Sequence, residues 1–116
     1  MNRDGWIGVD FDRTLNGYDG NWRNGTIIDA PITPMVERVK QWLDEGREVR
    51  IVTARAAGDD CSDQVWQIVE WCKRNIGMAL DVQSGKDMHM LELWDDSAVR
   101  VERNTGRRLS PSFVEV

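Results

Sequence analysis

The stretch Trp6-Ile7-Gly8-Val9-Asp10-Phe11-Asp12-Arg13-Thr14-Leu15 decides the fold. Its apolar start stops abruptly at an acid, and short continuous apolar runs suit strands buried on both faces, as in parallel sheets. Working outward, the same pattern recurs. Glu48-Val49-Arg50-Ile51-Val52-Thr53 predicts a strand whose apolar part ends at a hydroxyl, and Leu91-Glu92-Leu93-Trp94 predicts one that ends at Asp95-Asp96. Ala79-Leu80-Asp81-Val82 is a weaker strand between them, and Ala98-Val99-Arg100-Val101 predicts a last one. Helical spacings fill the gaps. Thr33-Pro34 reads as an N-cap followed by proline at the first helical position, with Val36, Val39 and Leu43 at helical spacing and a stop at Gly46. A second helix starts near Ser62-Asp63, sets Val65, Ile68, Val69, Cys72 and Ile76 on one face, and ends at Gly77. Strand, helix, strand, helix, strand is the alternation of a doubly wound α/β sheet.

The chain has 116 residues, enough for one domain spanning 1–116 around one core. Fifteen Lys plus Arg against 20 Asp plus Glu leave a net charge of −5, which argues against a sequence-independent nucleic-acid binder with its basic face. An enzyme that briefly handles a nucleic-acid end stays open. With 41% hydrophobic residues the chain is too apolar for disorder. No apolar run reaches the ~18–20 residues of a membrane span and no leader pattern opens the chain, so a cytoplasmic protein is expected. Cys61 and Cys72 are too few for a zinc cage and read as reduced core thiols on one helical face. The segment from about 15 to 30, with Gly17, Gly20 and Gly25, predicts a turn-rich flap with a small hairpin closing at Thr26-Ile27-Ile28.

In doubly wound sheets ligands bind beyond the carboxyl ends of the strands, where the strand order reverses. The residues that end the strands therefore matter by position. Asp10 and Asp12 follow the first strand, Thr53 the second, and Asp95 and Asp96 the fourth, with Lys86 in the loop before it. Carboxylates gathered at one point repel, and a hard cation with oxygen ligands, Mg²⁺ above all, relieves this. A carboxylate facing a metal-bound phosphate can attack it, a second can serve as general acid and base, and Thr53 and Lys86 can hold the phosphoryl oxygens. That is phosphoryl transfer through a covalent intermediate.

These residues carry a resemblance. Val9-Asp10-Phe11-Asp12-Arg13-Thr14-Leu15 resembles the first motif, D-x-D-x-[T/V], of the haloacid dehalogenase superfamily of phosphohydrolases. Ile51-Val52-Thr53-Ala54-Arg55 is similar to its second motif, Lys86 to its third-motif lysine, and Trp94-Asp95-Asp96-Ser97 to its acidic fourth motif. The motifs stand in the family's order and cover nearly the whole chain. The resemblance implies a Rossmann-like three-layer α/β/α sandwich with a mostly parallel sheet. It implies Asp10 as nucleophile and Mg²⁺ ligand, Asp12 as general acid/base with its backbone carbonyl on the metal, Thr53 as a hydrogen-bond donor to the phosphoryl group, and Lys86 as partner of nucleophile and phosphate. Asp95 and Asp96 complete the metal site, one directly and one through water, with Asp96 taken as the direct ligand. Arg13 stands where the family often has glycine. Only about fifteen residues separate Leu15 from Pro31, room for a flap and no cap domain.

The expected activity is a Mg²⁺-dependent phosphomonoesterase. Capless members tend to act on large substrates or to borrow a neighbouring subunit as cover, so a homo-oligomer covering the open site is one expectation. A nucleotide or nucleic-acid end is the favoured substrate, with Trp22 as a stacking residue and Arg13 and Arg55 as phosphate partners. A phosphoprotein, a small phosphometabolite and a non-catalytic scaffold of the same fold are the alternatives. Asp59, Asp60 and Asp63 read as charges at a helix start, His89 as a surface residue, and the arginines from Arg100 to Arg108 as a solvated turn. Trp6, Trp42, Trp66 and Trp71 are expected to pack.

Overall fold

In the computed structural model, which describes residues 4–109, the apolar runs become strands β1 (Trp6–Val9), β2 (Glu48–Val52), β3 (Asp81–Gln83) and β4 (Met90–Trp94). The helical spacings become α1 (Thr33–Asp44) and α2 (Ser62–Asn75). All pairings are parallel and the strand order is β3-β2-β1-β4. The chain steps outward from β1 to β2 to β3, then returns to place β4 on the other side of β1. The switch point of the sheet therefore lies between the carboxyl ends of β1 and β4.

Alternation along the strands divides the residues cleanly. Ile7, Val9, Val49 and Ile51 enter one core cluster with Met35, Val36 and Val39 of α1 and Ile68, Trp71 and Cys72 of α2. Both helices thus cover the same face, as two right-handed crossovers stepping in the same direction require. The return from β3 to β4 steps the other way and crosses the opposite face as the loop 84–89. A helix-bearing crossover needs roughly a dozen residues, so among the described residues two layers stand where three are expected. Trp6 is buried under this loop and donates from Nε1 to Asp87 Oδ1 at 2.9 Å. The Arg50 guanidinium lies 4.6 Å from the Trp6 ring centroid and reaches Glu48 at 2.6 Å and Asp87 at 3.4 Å. One arginine on one indole staples the crossover in place.

Several local expectations are corrected. Thr33 is already the first helical residue of α1, Ile32 takes the cap position with no side-chain cap bond, and Pro34 is the second helical residue rather than the first. No hairpin forms at 26–28. The flap is instead a run of turns around a 3-10 turn at Arg23–Gly25, stitched by the Asn16 side chain, which donates to Ile28 O and accepts from Ala30 N–H and Trp71 Nε1–H. No last strand forms at 98–101; a single antiparallel bridge, Val101 with Arg108, closes a turn there, and the outer edge of β4 has no strand beside it among the described residues. Cys61 stands at the cap position just before α2, with no side-chain cap bond, and so is not on the helix that carries Cys72; both thiols are free. Burial pushes the Cys72 thiol up to about 12, so it stays protonated. Trp66 is 62% exposed, because α2 turns Ile68, Trp71 and Cys72 to the core. Among the described residues no helix is long and apolar enough to cross a membrane.

Candidate active site

The loop that leaves β1 builds the site. The β-ladder runs one residue past β1, with Asp10 N–H donating to Trp94 O at 2.9 Å, so Asp10 is delivered beside the end of β4. The N–H groups of Thr14, Leu15 and Asn16 all turn back onto Phe11 O, at 3.3, 2.9 and 2.9 Å. That tight turn requires a left-handed residue, and Arg13 supplies it with φ of 68°. Glycine adopts such a backbone without cost, whereas a side chain there is strained by about 1 kcal/mol. A family preference for glycine at this position has that physical reason.

Two carboxylates two residues apart then meet opposite surroundings. Oxygens of Asp10, Asp95 and Asp96 lie within 4.8 Å of one another, and no cation of the protein makes an ion pair with any of them among the described residues. Burial first, then the Asp95 charge and a hydrogen bond with Asp96, push the Asp10 carboxyl up to about 7. The buried Thr14 hydroxyl organises the group: Oγ1 accepts from Asp96 N–H at 3.1 Å and lies 3.3 Å from both Asp10 Oδ2 and Asp96 Oδ1. One hydroxyl proton serves one of those carboxylates at a time. Asp95 accepts from the N–H and hydroxyl of Ser97 at 2.8 and 3.0 Å.

Asp12 faces the other way. Arg55 donates from Nε and Nη2 to its two carboxylate oxygens, at 2.8 and 3.0 Å, and from Nη1 to Gln64 Oε1 at 2.9 Å. The guanidinium lies 5.4 Å from the Tyr18 ring centroid and 4.6 Å from that of Trp22, and the Arg55 side chain is 5% exposed. Removing one partner of a buried pair leaves an uncompensated charge and costs about 3–5 kcal/mol. The Arg13 guanidinium lies 5.3 Å from the Tyr18 ring, so two arginines hold that flap residue. Gly25 O, which accepts from Gln64 and Gln67 at 2.9 and 3.0 Å, ties the rest of the flap to α2.

Thr53 ends β2, is buried, and caps a 3-10 turn at Ala54–Ala56 by accepting Arg55 N–H on its hydroxyl at 3.1 Å. Its place beside the Arg55–Asp12 pair follows from that bond. Asp10, Asp12, Thr53, Arg55, Asp95 and Asp96 thus share one rim. Lys86 is exposed on the crossover 84–89 and makes no hydrogen bond or ion pair with the described residues. Trp22 is 50% exposed at the rim. A recess of about 260 Å³ lined by Arg13, Thr14, Ile32, Met35, Trp94, Asp95 and Asp96 opens beside the acids. A larger one of about 700 Å³, along the outer edge of β4, shares only Trp94 and Asp95 with it.

Sequence reasoning left Thr14, Tyr18 and Gln64 without roles. Thr14 is signalled by its place two residues after Asp12, and Tyr18 by its spacing of four from Trp22 in the flap. Gln64 carries no such signal. Chemically, the acids offer oxygen ligands with open positions between them, suited to a divalent cation, and the flap side offers a carboxylate fixed by a guanidinium. Compared with known proteins, the chain matches no family model, no curated protein and no solved structure.

Proposed function

We propose that this chain is a capless, Mg²⁺-dependent phosphomonoesterase working through an aspartyl-phosphate, as its resemblance to the haloacid dehalogenase superfamily implies. The observation that carries the reading is the meeting of Asp10 with Asp95 and Asp96 at the switch point of the sheet, three carboxylates that make no ion pair with a cation among the described residues. Such a group is unfavourable unless protonated or bound to metal. The side chains of Asp10, Asp95 and Asp96, with the backbone carbonyl of Asp12, would hold the ion. Bound there, Mg²⁺ would neutralise the carboxylates and draw charge from the phosphoryl oxygens.

In the proposed reaction a carboxylate oxygen of Asp10 attacks phosphorus. The leaving oxygen keeps the electron pair of the broken P–O bond and takes a proton from Asp12. Asp12 then takes a proton from the water that attacks the aspartyl-phosphate, which releases phosphate and restores Asp10. Thr53 would donate a hydrogen bond to the phosphoryl oxygens, and Lys86 would approach them from the crossover loop. The half-exposed Trp22 and the strained, exposed Arg13 favour a nucleotide or nucleic-acid end as substrate, since a base can stack on the one and a further phosphate can pair with the other. The free thiols fit a reducing compartment, and we place the activity in the cytoplasm.

Hydrolysis of an aryl phosphate with and without Mg²⁺, by wild type and Asp10→Asn, tests the reading. Turnover that needs the metal and vanishes in the variant is expected. No metal-dependent turnover on that substrate, on nucleotides, on 3′- and 5′-phosphorylated oligonucleotides and on phosphopeptides would refute it.

A further inference from the structure

We infer that Arg55 is a positioning residue for Asp12 and that the flap is what makes the pair rigid. The inference rests on the phosphatase reading above. A strand-end arginine at a phosphate site is ordinarily taken as a phosphate ligand, and the geometry here assigns it a different task. Three of the five guanidinium N–H donors are engaged, two by Asp12 and one by Gln64. Tyr18 and Trp22 stand against the guanidinium, and the side chain is 5% exposed, so it has little surface left for a substrate. The bidentate pair also fixes the plane of the Asp12 carboxylate, since two parallel N–H···O bonds permit only one orientation. Of the roughly four acceptor sites on a carboxylate, two remain for the proton that Asp12 gives and takes.

The flap enters through the same contacts. Tyr18 and Trp22 cover the guanidinium side of the pair, and Gln64 links it to the flap because its amide donates to Gly25 O while its carbonyl receives Arg55. Low local dielectric strengthens a charge-assisted bond, so the flap raises the cost of letting Asp12 turn. A flap of this size is then part of the acid/base machinery rather than a cover for the substrate alone.

The consequence is specific to one step. In forming the aspartyl-phosphate, Asp12 gives its proton to the leaving oxygen, and the need for that proton grows as the leaving alcohol becomes more basic. A misplaced Asp12 therefore harms alkyl phosphates far more than nitrophenyl phosphate, whose leaving group departs without help. A phosphate-binding or purely structural arginine would harm both alike. The measurement is kcat/KM, which reports the first chemical step, for nitrophenyl, phenyl and alkyl phosphates with wild type and Arg55→Lys in saturating Mg²⁺. Lysine keeps the charge but cannot form the two-pronged pair. We expect a loss of about 100-fold on the alkyl ester and less than about tenfold on the nitrophenyl ester. Equal losses on all three esters overturn the inference while leaving the phosphatase reading intact. A wild type without turnover on any ester refutes the phosphatase reading itself. Should Arg55→Lys fail to fold, Gln64→Ala, which removes the acceptor of Arg55 Nη1, gives the same test: a smaller loss with the same leaving-group bias is expected, and a loss without bias overturns the inference.

Discussion

Asp10 and Asp12 are neighbours in sequence and opposites in surroundings. Asp10 sits with two other carboxylates and, among the described residues, no paired cation, and its carboxyl rises to about 7; Asp12 is clasped by a guanidinium under two aromatic rings. The left-handed turn at Arg13 lets one loop serve both, sending Thr14 back toward Asp10 and Asp96 while the flap continues toward Arg55. The contrast teaches where an outside ion belongs. The flap side is already neutralised by the protein, whereas on the β4 side no described residue neutralises the acids, and protons or, on the proposed reading, a metal ion would do so.

The strongest way to break the contrast is to remove the acid on the metal side. Asp10→Asn should reduce metal-dependent turnover at least about a thousandfold, read as kcat at saturating Mg²⁺. Thr14→Val deletes the hydroxyl that receives Asp96 N–H, and the account expects Mg²⁺ affinity by calorimetry to weaken about 10–100-fold with the fold retained. Unchanged affinity would mean that Thr14 does not orient the ligands.

Protonation sharpens the contrast further. The folded chain holds the Asp10 proton up to about 7, whereas an unfolded chain loses it near 3.8. Between those values the folded state binds more protons, so metal-free stability falls as pH rises from about 4 to about 7. Asp10→Asn cannot ionise, and its metal-free melting temperature at pH 8 should exceed that of wild type by about 4 °C, the difference vanishing at pH 4. A variant that melts lower than wild type at pH 8 would count against a strained acidic cluster. A smaller effect is on the flap side, where Trp22→Ala should cost about 1 kcal/mol in denaturant unfolding through the lost guanidinium contact. Trp66→Ser on the exposed face of α2 should stay within about 0.5 kcal/mol.

What could be read from the sequence follows one physical rule. Apolar runs that stop at acid or hydroxyl gave β1, β2 and β4 with their terminal residues, because strand burial and strand-end chemistry are both local in the chain. The gathering of Asp10, Asp95 and Asp96 was legible for the same reason. The Arg55–Asp12 pair was not, since its partners lie 43 residues apart and either residue reads equally well as a substrate contact. The single-sided sheet was hidden by the strand–helix alternation, which suggests helices on both faces; the short 84–89 stretch carried the contrary signal. Ala98-Val99-Arg100-Val101 has strand composition, yet composition cannot supply a hydrogen-bonding partner, and only one bridge forms. Trp66 was misjudged because an amphipathic pattern places a stripe, while the width of that stripe is set by the sheet beneath it.

The central claim is that Asp10 becomes covalently phosphorylated. Acid-quenching the enzyme during turnover of a phosphate monoester in Mg²⁺, then mapping the phosphoryl group by peptide mass spectrometry, tests it most directly. The account predicts phosphate on Asp10 alone, absent without metal and absent in Asp10→Asn. Steady turnover with phosphate on another residue, or with the label surviving in Asp10→Asn, would contradict it.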